Sequence, residues 1–137
     1  MKKLTVVAII FAGSLSFAAE CVNERGEDLY NQPEAFLALI EKADSCYSAK
    51  SLADACAYGS SLDVQTAGAA YSVCAAELAK EKPTKSLNTL LSNMKTLCNK
   101  KYEKAQGTMY RSMNSYCHLS AIEWVLGVAS PLDSEGL

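Results

Sequence analysis

The 137-residue sequence has few of the residue patterns that most catalytic and metal sites require. It contains a single histidine, His118, and side chains at adjacent helix positions such as Cys117 and His118 do not face each other, so a Cys-His catalytic pair is disfavoured. There is no glycine-rich phosphate loop, and no pair of carboxylates stands out as a general acid and base. We therefore predict no catalytic residue, no metal ligand and no cofactor.

Two further patterns are missing from the sequence. The alternating, β-branched runs that a sheet would need are absent, which favours an all-α fold. Basic residues are also scarce, with 13 lysines and arginines against 15 acidic residues, so nucleic acid is not expected as a partner.

The N-terminus has the layout of a secretory signal peptide. Lys2 and Lys3 precede an apolar run over residues 4–12, and Ser16 and Ala18 occupy the −3 and −1 positions of a cleavage site after Ala18. The apolar run is too short to span a bilayer, so no stable membrane insertion is expected after cleavage. We predict a mature domain of about 119 residues in the periplasm or outside the cell.

The sequence contains six cysteines, all in the predicted mature part. The mature part contains an even number of cysteines and no Cys-x-x-Cys motif, which indicates a disulfide framework in an oxidising compartment and disfavours metal binding. Its members are Cys21, Cys46, Cys56, Cys74, Cys98 and Cys117. Six cysteines allow 15 pairings, so the sequence leaves the connectivity open.

The segments between the cysteines have helical periodicity. A first helix is predicted from Pro33 to Tyr47, and a second, short helix is predicted to begin at a capping box formed by Ser51 and Asp54. Asp63 is expected to cap a third helix, which ends at Pro83. From residue 84 one apolar stripe continues to residue 128 along these positions: Leu87, Leu90, Leu91, Met94, Leu97, Cys98, Ala105, Met109, Met113, Tyr116, Cys117, Ala121, Trp124 and Val128.

This stripe is too long for one straight helix in a small domain. A single helix of about 43 residues would be roughly 64 Å long. A domain of this size has a radius of gyration of only about 14 Å. We expect a turn within residues 99–107, where Gly107 is the weakest helix former; a single elongated helix is the alternative. A turn favours pairing of Cys98 with Cys117, and a straight helix favours pairing of Cys74 with Cys98.

These patterns predict a disulfide-stapled all-α bundle of four to five helices that ends in a long C-terminal helical hairpin. The expected layout is a signal peptide over residues 1–18, an N-terminal extension over 19–32, a helical domain over 33–128 and a tail over 129–137. Trp124 continues the apolar stripe, so core packing is expected, with an interface anchor as its functional alternative. Tyr110 and Arg111 lie off the stripe and, with Trp124, are the candidate partner contacts.

Charge is unevenly distributed along the mature chain. Residues 19–63 contain nine acidic and three basic residues, whereas residues 64–117 contain three acidic and eight basic residues. Solvated helix faces and attraction between the two halves would explain this pattern, and so would a surface that meets a charged partner.

Several short motifs of the second half resemble the LprI-type lysozyme-inhibitor family. They are Cys74, Leu87-Asn88, Ala105-Gln106, Cys117 eleven residues after Gln106, and a Gly127-x-Ala-Ser-Pro segment, so that the resemblance covers residues 74–131. The family's tryptophan and arginine would fall at Met109 and Met113, where this chain has Tyr110 and Arg111 in a shifted register. Cys98 is additional, and the family's terminal cysteine is missing.

The resemblance implies a small exported helical protein that binds and blocks a cationic lysozyme and performs no chemistry of its own. Without the resemblance, the sequence predicts an envelope adaptor or structural protein that pairs with a protein partner through the apolar stripe. The oligomeric state stays open.

Overall fold

Five helices build the protein in a computed structural model that describes residues 21–23 and 25–129. They are α1 (Pro33–Glu41), α2 (Cys46–Ala55), α3 (Ser61–Lys80), α4 (Lys85–Tyr102) and α5 (Thr108–Ala129). The predicted signal peptide and residues 130–137 of the predicted tail lie outside the described residues. Within the described ranges, no helix combines the length and the apolarity that crossing a bilayer demands. The predicted all-α bundle is confirmed.

Two predicted helix boundaries in the first half were wrong. The helix that begins at Pro33 ends at Glu41 and not at Tyr47, which belongs to α2. The second helix begins earlier than predicted because the Ser45 side chain accepts a hydrogen bond from Ser48 N–H and so caps α2. Ser51 and Asp54, predicted to open this helix, lie inside it.

The start of α3 also corrects a prediction. The N-cap is Ser60, and Asp63 is the third residue of the helix, where its carboxylate accepts from the backbone N–H of Ser60 in a capping box. The C-terminal end of α3 lies close to its predicted position, since the helix stops at Lys80, shortly before Pro83.

The central pair of the bundle is α3 and α5. Helices α1 and α2 pack against α3, α2 also touches α5, and the backbone of α4 runs close to α5 and to no other described helix. The core between these helices contains large apolar side chains from α1 and α5: Phe36, Ile40, Leu119, Ile122 and Val125. They pack against small residues of α2 and α3: Ala49, Ala53, Ala67 and Ala70. The alanines bring the helix backbones close together, so four helices share one core.

Three disulfides join the helices and the N-terminal segment. Cys21 pairs with Cys56, Cys46 with Cys74, and Cys98 with Cys117. The Cys98–Cys117 pairing predicted for a turned chain is confirmed, and the Cys74–Cys98 alternative is wrong because Cys46 of α2 occupies the position facing Cys74. Such a framework is typical of proteins from an oxidising compartment.

The described part of the predicted N-terminal extension lies against the helices. Val22 and Asp28 form an isolated antiparallel bridge, and the loop between them turns at Gly26, whose φ of 76° is in the left-handed region. Leu29 is buried in the common core, and Cys21 joins this segment to the end of α2. The segment is therefore fastened at both of its ends.

The C-terminal hairpin turns where the sequence predicted. Helix α4 ends at Tyr102, and Gly107 adopts a φ of 108° directly before α5 begins. A positive φ costs glycine little, so this residue suits the reversal. The elongated single helix is excluded, and the apolar stripe is divided between two antiparallel helices.

Candidate functional site

An apolar groove runs between α4 and α5 on the outer side of the hairpin. Its volume is about 410 Å³, and its apolar walls are Met94, Leu97 and Cys98 from α4 and Cys117, Ala121 and Trp124 from α5. These positions recur at three- and four-residue spacings, so each helix contributes one continuous face. Two polar side chains, Lys101 and Ser120, complete the lining.

Trp124 and Leu97 are the most prominent apolar side chains of this groove. Trp124 is 54% exposed and Leu97 is 65% exposed, and Met113 and Val128 on α5 are also exposed. The expected core position of Trp124 is therefore wrong. The face of α5 that meets α3 carries Leu119, Ile122 and Val125 instead, which leaves the Trp124 face for solvent or for a partner.

The groove is held in shape by a covalent link. The Cys98–Cys117 disulfide forms part of its wall and joins the two helices with a Cα–Cα distance of 5.8 Å. Behind it, Leu87, Leu90, Leu91 and Met94 of α4 pack against the core. A surface held in one shape loses little conformational entropy when it binds a partner.

One end of the groove carries positive charge, because Lys101 lines it there. Lys100 and Lys104, close to Lys101 in sequence, are exposed in the last turn of α4 and in the connection to α5. In the part of the chain that the structure describes, both ion pairs involve Lys50, which contacts Asp54 at 2.6 Å and Glu123 at 3.6 Å. The three lysines of the hairpin thus keep their charge available to a partner.

A second, polar cleft opens on the other flank of the hairpin, between α3, α4 and α5. Lys95 Nζ lies 4.9 Å from the centroid of the Tyr71 ring, and His118 Nε2 lies 2.9 Å from Asn99 Oδ1. Burial, and then the positive charge of Lys95, lowers the pKa of His118 from its ordinary 6.5. The imidazole is therefore neutral at physiological pH.

A buried polar network joins the α2–α3 connection to α5. Asp63 is 1% exposed, and its carboxylate accepts from the backbone N–H of Gly59 at 2.6 Å and from the Ser112 hydroxyl at 2.7 Å. Burial on its own would raise the pKa of Asp63, but these hydrogen bonds and those from Ser60 and Tyr58 outweigh it and lower the pKa. The network orients α5 in the bundle.

Tyr116 fastens α5 to α2 beside this network. Its hydroxyl donates to the carbonyl oxygen of Ala53 at 2.7 Å, near the end of α2. Burial raises the pKa of Tyr116 to about 12, so the hydroxyl keeps its proton throughout the physiological range. Both Tyr116 and Asp63 therefore stabilise the fold and do not face a ligand.

The other predicted contact residues lie near the start of α5. Tyr110 and Arg111 are both exposed, in the first turn of this helix. They do not line the Trp124 groove, so the three predicted contact residues do not form one site. Met109, expected in the apolar stripe, is exposed beside Gly59.

The described residues hold neither a free cysteine nor a set of converging metal ligands. Cys117 is bonded to Cys98, which leaves no thiol beside His118. Across residues 21–23 and 25–129, no three His, Cys, Asp or Glu side chains converge on a point where a metal ion would fit.

Sequence reasoning found most of the groove residues, expected core packing for Trp124, and left open whether the rest of the stripe was buried or presented to a partner. Met94, Leu97, Cys98, Cys117 and Trp124 all belong to the predicted stripe, which the periodicity alone could not assign to an inner or outer face. The polar cleft was missed because Tyr71, Lys95 and His118 come from three helices and share no motif. The buried network had a local signal, since Ser60 and Asp63 have capping-box spacing.

Comparison with known proteins adds no relative. No family model, no curated protein and no solved structure matches this chain. The function is therefore argued from the chain's own surfaces.

Proposed function

We propose that this chain is an exported, non-enzymatic protein-binding module that docks its partner in the Trp124 groove. The observation that carries the proposal is the half-exposed Trp124 in an apolar groove whose two walls are joined by a disulfide. Tryptophan is enriched among the residues that dominate binding energy at protein interfaces. Export rests on the N-terminal pattern of Lys2, Lys3 and the Ala18 cleavage site, and the three disulfides support it.

The partner we infer is an amphipathic helix with acidic residues beside its apolar face. An apolar groove between two helices suits the apolar side chains of a third helix. Lys101 in the groove lining, with the exposed Lys100 and Lys104 close to it in sequence, would complement carboxylates on that helix.

A peptide titration tests this proposal, with the single tryptophan as its reporter. The probe is a synthetic amphipathic helix with glutamates flanking its apolar face, and the controls carry lysines in place of the glutamates or a scrambled order. We expect a blue shift of the Trp124 emission with the glutamate peptide and a weaker response to both controls. The variant Leu97→Ala should weaken binding at least about fivefold, since a truncated interface anchor costs roughly 1 kcal/mol or more.

The matched control variant is Tyr47→Ala, which removes an exposed side chain from α2, away from the groove. It should leave the titration unchanged. An unchanged Trp124 emission at a large excess of the glutamate peptide would refute the groove as a docking site for this class of partner. The molar mass from light scattering during size-exclusion chromatography is an independent test. A stable dimer would indicate that the groove pairs two copies of the chain instead.

A second candidate function is inhibition of a cationic lysozyme, as the LprI-type resemblance implies. The observation that favours it is an acidic surface on the N-terminal side, where Glu27, Asp28, Glu34, Glu41 and Asp44 are all exposed. Exposed carboxylates would speed the encounter with a cationic enzyme.

A lysis assay tests the second candidate. We expect added protein to slow the lysis of cell walls by lysozyme, and the double variant Glu34→Gln, Glu41→Gln to weaken that effect. Leu97→Ala should retain the inhibition, because it changes the groove and leaves the acidic surface intact. If lysis proceeds at the same rate at a large molar excess of the protein, this candidate fails, while the groove proposal is unaffected.

A further inference from the structure

The polar cleft between α3, α4 and α5 has the composition of a ligand site. The contact between Lys95 and Tyr71 divides it into two parts. The inner part, about 200 Å³, also reaches Gly68, Ser115 and His118, and the outer part, about 350 Å³, is lined by amide and hydroxyl side chains such as Asn88, Ser92, Thr96 and Asn99. No carboxylate is among the described residues that line either part.

We propose that this cleft binds a small oxyanion, a phosphate or carboxylate group, between Lys95 and His118. The site is separate from the Trp124 groove, which uses the other faces of α4 and α5, so either proposal can fail alone. A ligand with hydroxyl groups beside its anionic group would fit best, since the amides and hydroxyls of the outer part can hydrogen-bond them.

The electrostatics of the cleft favour an anion. Lys95 belongs to neither of the ion pairs found in the described residues, so no carboxylate among them is in direct contact with its ammonium group. The titratable side chains that face the cleft are Lys95 from α4, Tyr71 from α3 and His118 from α5. An oxyanion placed among them would gain a direct charge interaction with Lys95.

His118 couples binding to protonation. Asn99 Oδ1 accepts from Asn114 Nδ2, so the hydrogen-bond network assigns the proton on the neutral His118 ring to Nε2, which donates to the same oxygen. Protonation adds a second N–H donor at Nδ1 and a positive charge. A bound oxyanion stabilises that charged form, so anion binding raises the pKa of His118, and affinity increases as the pH falls towards that pKa.

Proton NMR of the full mature chain tests the site, because its one histidine gives an unambiguous ring signal. The pKa of His118 is measured alone and with inorganic phosphate, with glucuronate or with uncharged glucose, at matched ionic strength. We expect a rise of about one pKa unit with phosphate, glucuronate or both, and none with glucose. A response to one anion alone identifies the phosphate or the carboxylate as the recognised group. No shift with either anion, or an equal shift with glucose, overturns the proposal.

Three variants separate the site from general charge effects. Lys95→Gln should raise the pKa of His118 in the free protein and abolish the response to anions, whereas Lys85→Gln on the same helix should change neither. Gly68→Leu tests the space: a Cβ at Gly68 meets no atom within 4 Å, and leucine favours a helix by up to about 1 kcal/mol over glycine. This variant should fold and should block the anion response, and a full response in Gly68→Leu or in Lys95→Gln would refute the cleft as the binding site.

Discussion

Asp63 links the α2–α3 connection to α5 by hydrogen bonds. Its carboxylate is buried and receives the backbone N–H groups of Gly59 and Ser60 together with the hydroxyls of Ser60 and Ser112. A buried carboxylate with several donors is stabilised in its charged form. Removing the charge leaves those donors with a weaker acceptor, so this one side chain affects both the local loop and the placement of α5.

We predict that Asp63→Asn lowers the free energy of unfolding by about 1–3 kcal/mol at neutral pH. The pKa of Asp63 is lower in the folded protein than its ordinary 3.8, so the contribution of the charge is complete above that value and disappears as the pH falls through the folded pKa. The difference between wild type and variant should therefore shrink below about pH 4. Chemical denaturation at neutral and acidic pH measures this difference in the free energy of unfolding. Asp44→Asn, at an exposed position, is the control, and an equal loss in both variants would contradict the prediction.

At the scale of elements, α4 is the helix with the least support. Its backbone approaches α5 alone among the described helices, and Cys98–Cys117 is the one disulfide that joins it to the bundle in that part of the chain. Cys117 is partly exposed in the groove wall, whereas both cysteines of the other two pairs are buried. The hairpin therefore combines the binding groove with the most accessible disulfide.

We predict that mild reduction opens Cys98–Cys117 before the other two disulfides, because a thiol reaches a partly exposed sulfur more readily than a buried one. Alkylation during stepwise reduction, followed by peptide mass spectrometry, gives the order. Labelling of Cys46 and Cys74 at or before the labelling of Cys98 and Cys117 would show this prediction to be wrong.

Replacing both hairpin cysteines tests the contribution of the Cys98–Cys117 disulfide without a reductant. Cys98→Ser with Cys117→Ser removes a link that closes a loop of 19 residues in sequence, which is worth about 3 kcal/mol in the chain-entropy model. We expect α4 to exchange its amide hydrogens faster than α3 in this variant, because only non-covalent packing at the edge of the bundle then holds it against α5 and the core. Equal protection of α3 and α4 would contradict this expectation.

At the scale of the whole molecule, charge is separated in space as well as in sequence. Glu34 and Glu41 are exposed on α1, which packs on α3, whereas Lys100 and Lys101 are exposed on α4, which packs on α5. Lys50, the basic member of both ion pairs, joins α2 to α5 and does not connect the acidic side to α4. Among the described residues, no ion pair therefore joins the acidic residues of α1 to the lysines of the hairpin.

We predict that the mature protein binds a cation exchanger at neutral pH and low salt, although its net charge is about −4. The lysines Lys100, Lys101 and Lys104 would form the contact, and replacing all three with glutamine should abolish retention. The control replaces Arg25, Lys42 and Lys50 with glutamine, which changes the net charge equally on the acidic side, and it should keep retention. Loss of retention in both triple variants would mean that net charge, and not its distribution, decides the behaviour.

The sequence by itself determined the local features of this protein. Pro33 marks the start of α1, Pro83 follows the end of α3, and Gly107 marks the hairpin turn, because each of these residues restricts or frees its own backbone. The sequence tied the Cys98–Cys117 pairing to a turn near Gly107 through the helix rise, and the turn in the structure decided between this pairing and Cys74–Cys98.

Only the tertiary structure decided which faces are buried and which distant residues meet. Helix α5 is apolar on two sides, one with Leu119, Ile122 and Val125 and one with Trp124 and Val128, so its periodicity did not determine which side meets α3. The pairing of Cys46 with Cys74, the burial of Asp63 against Ser112 and the cleft of Lys95 and His118 all join residues from different helices. Such contacts depend on how the helices pack, because side chains from separate helices meet only once the common core has formed.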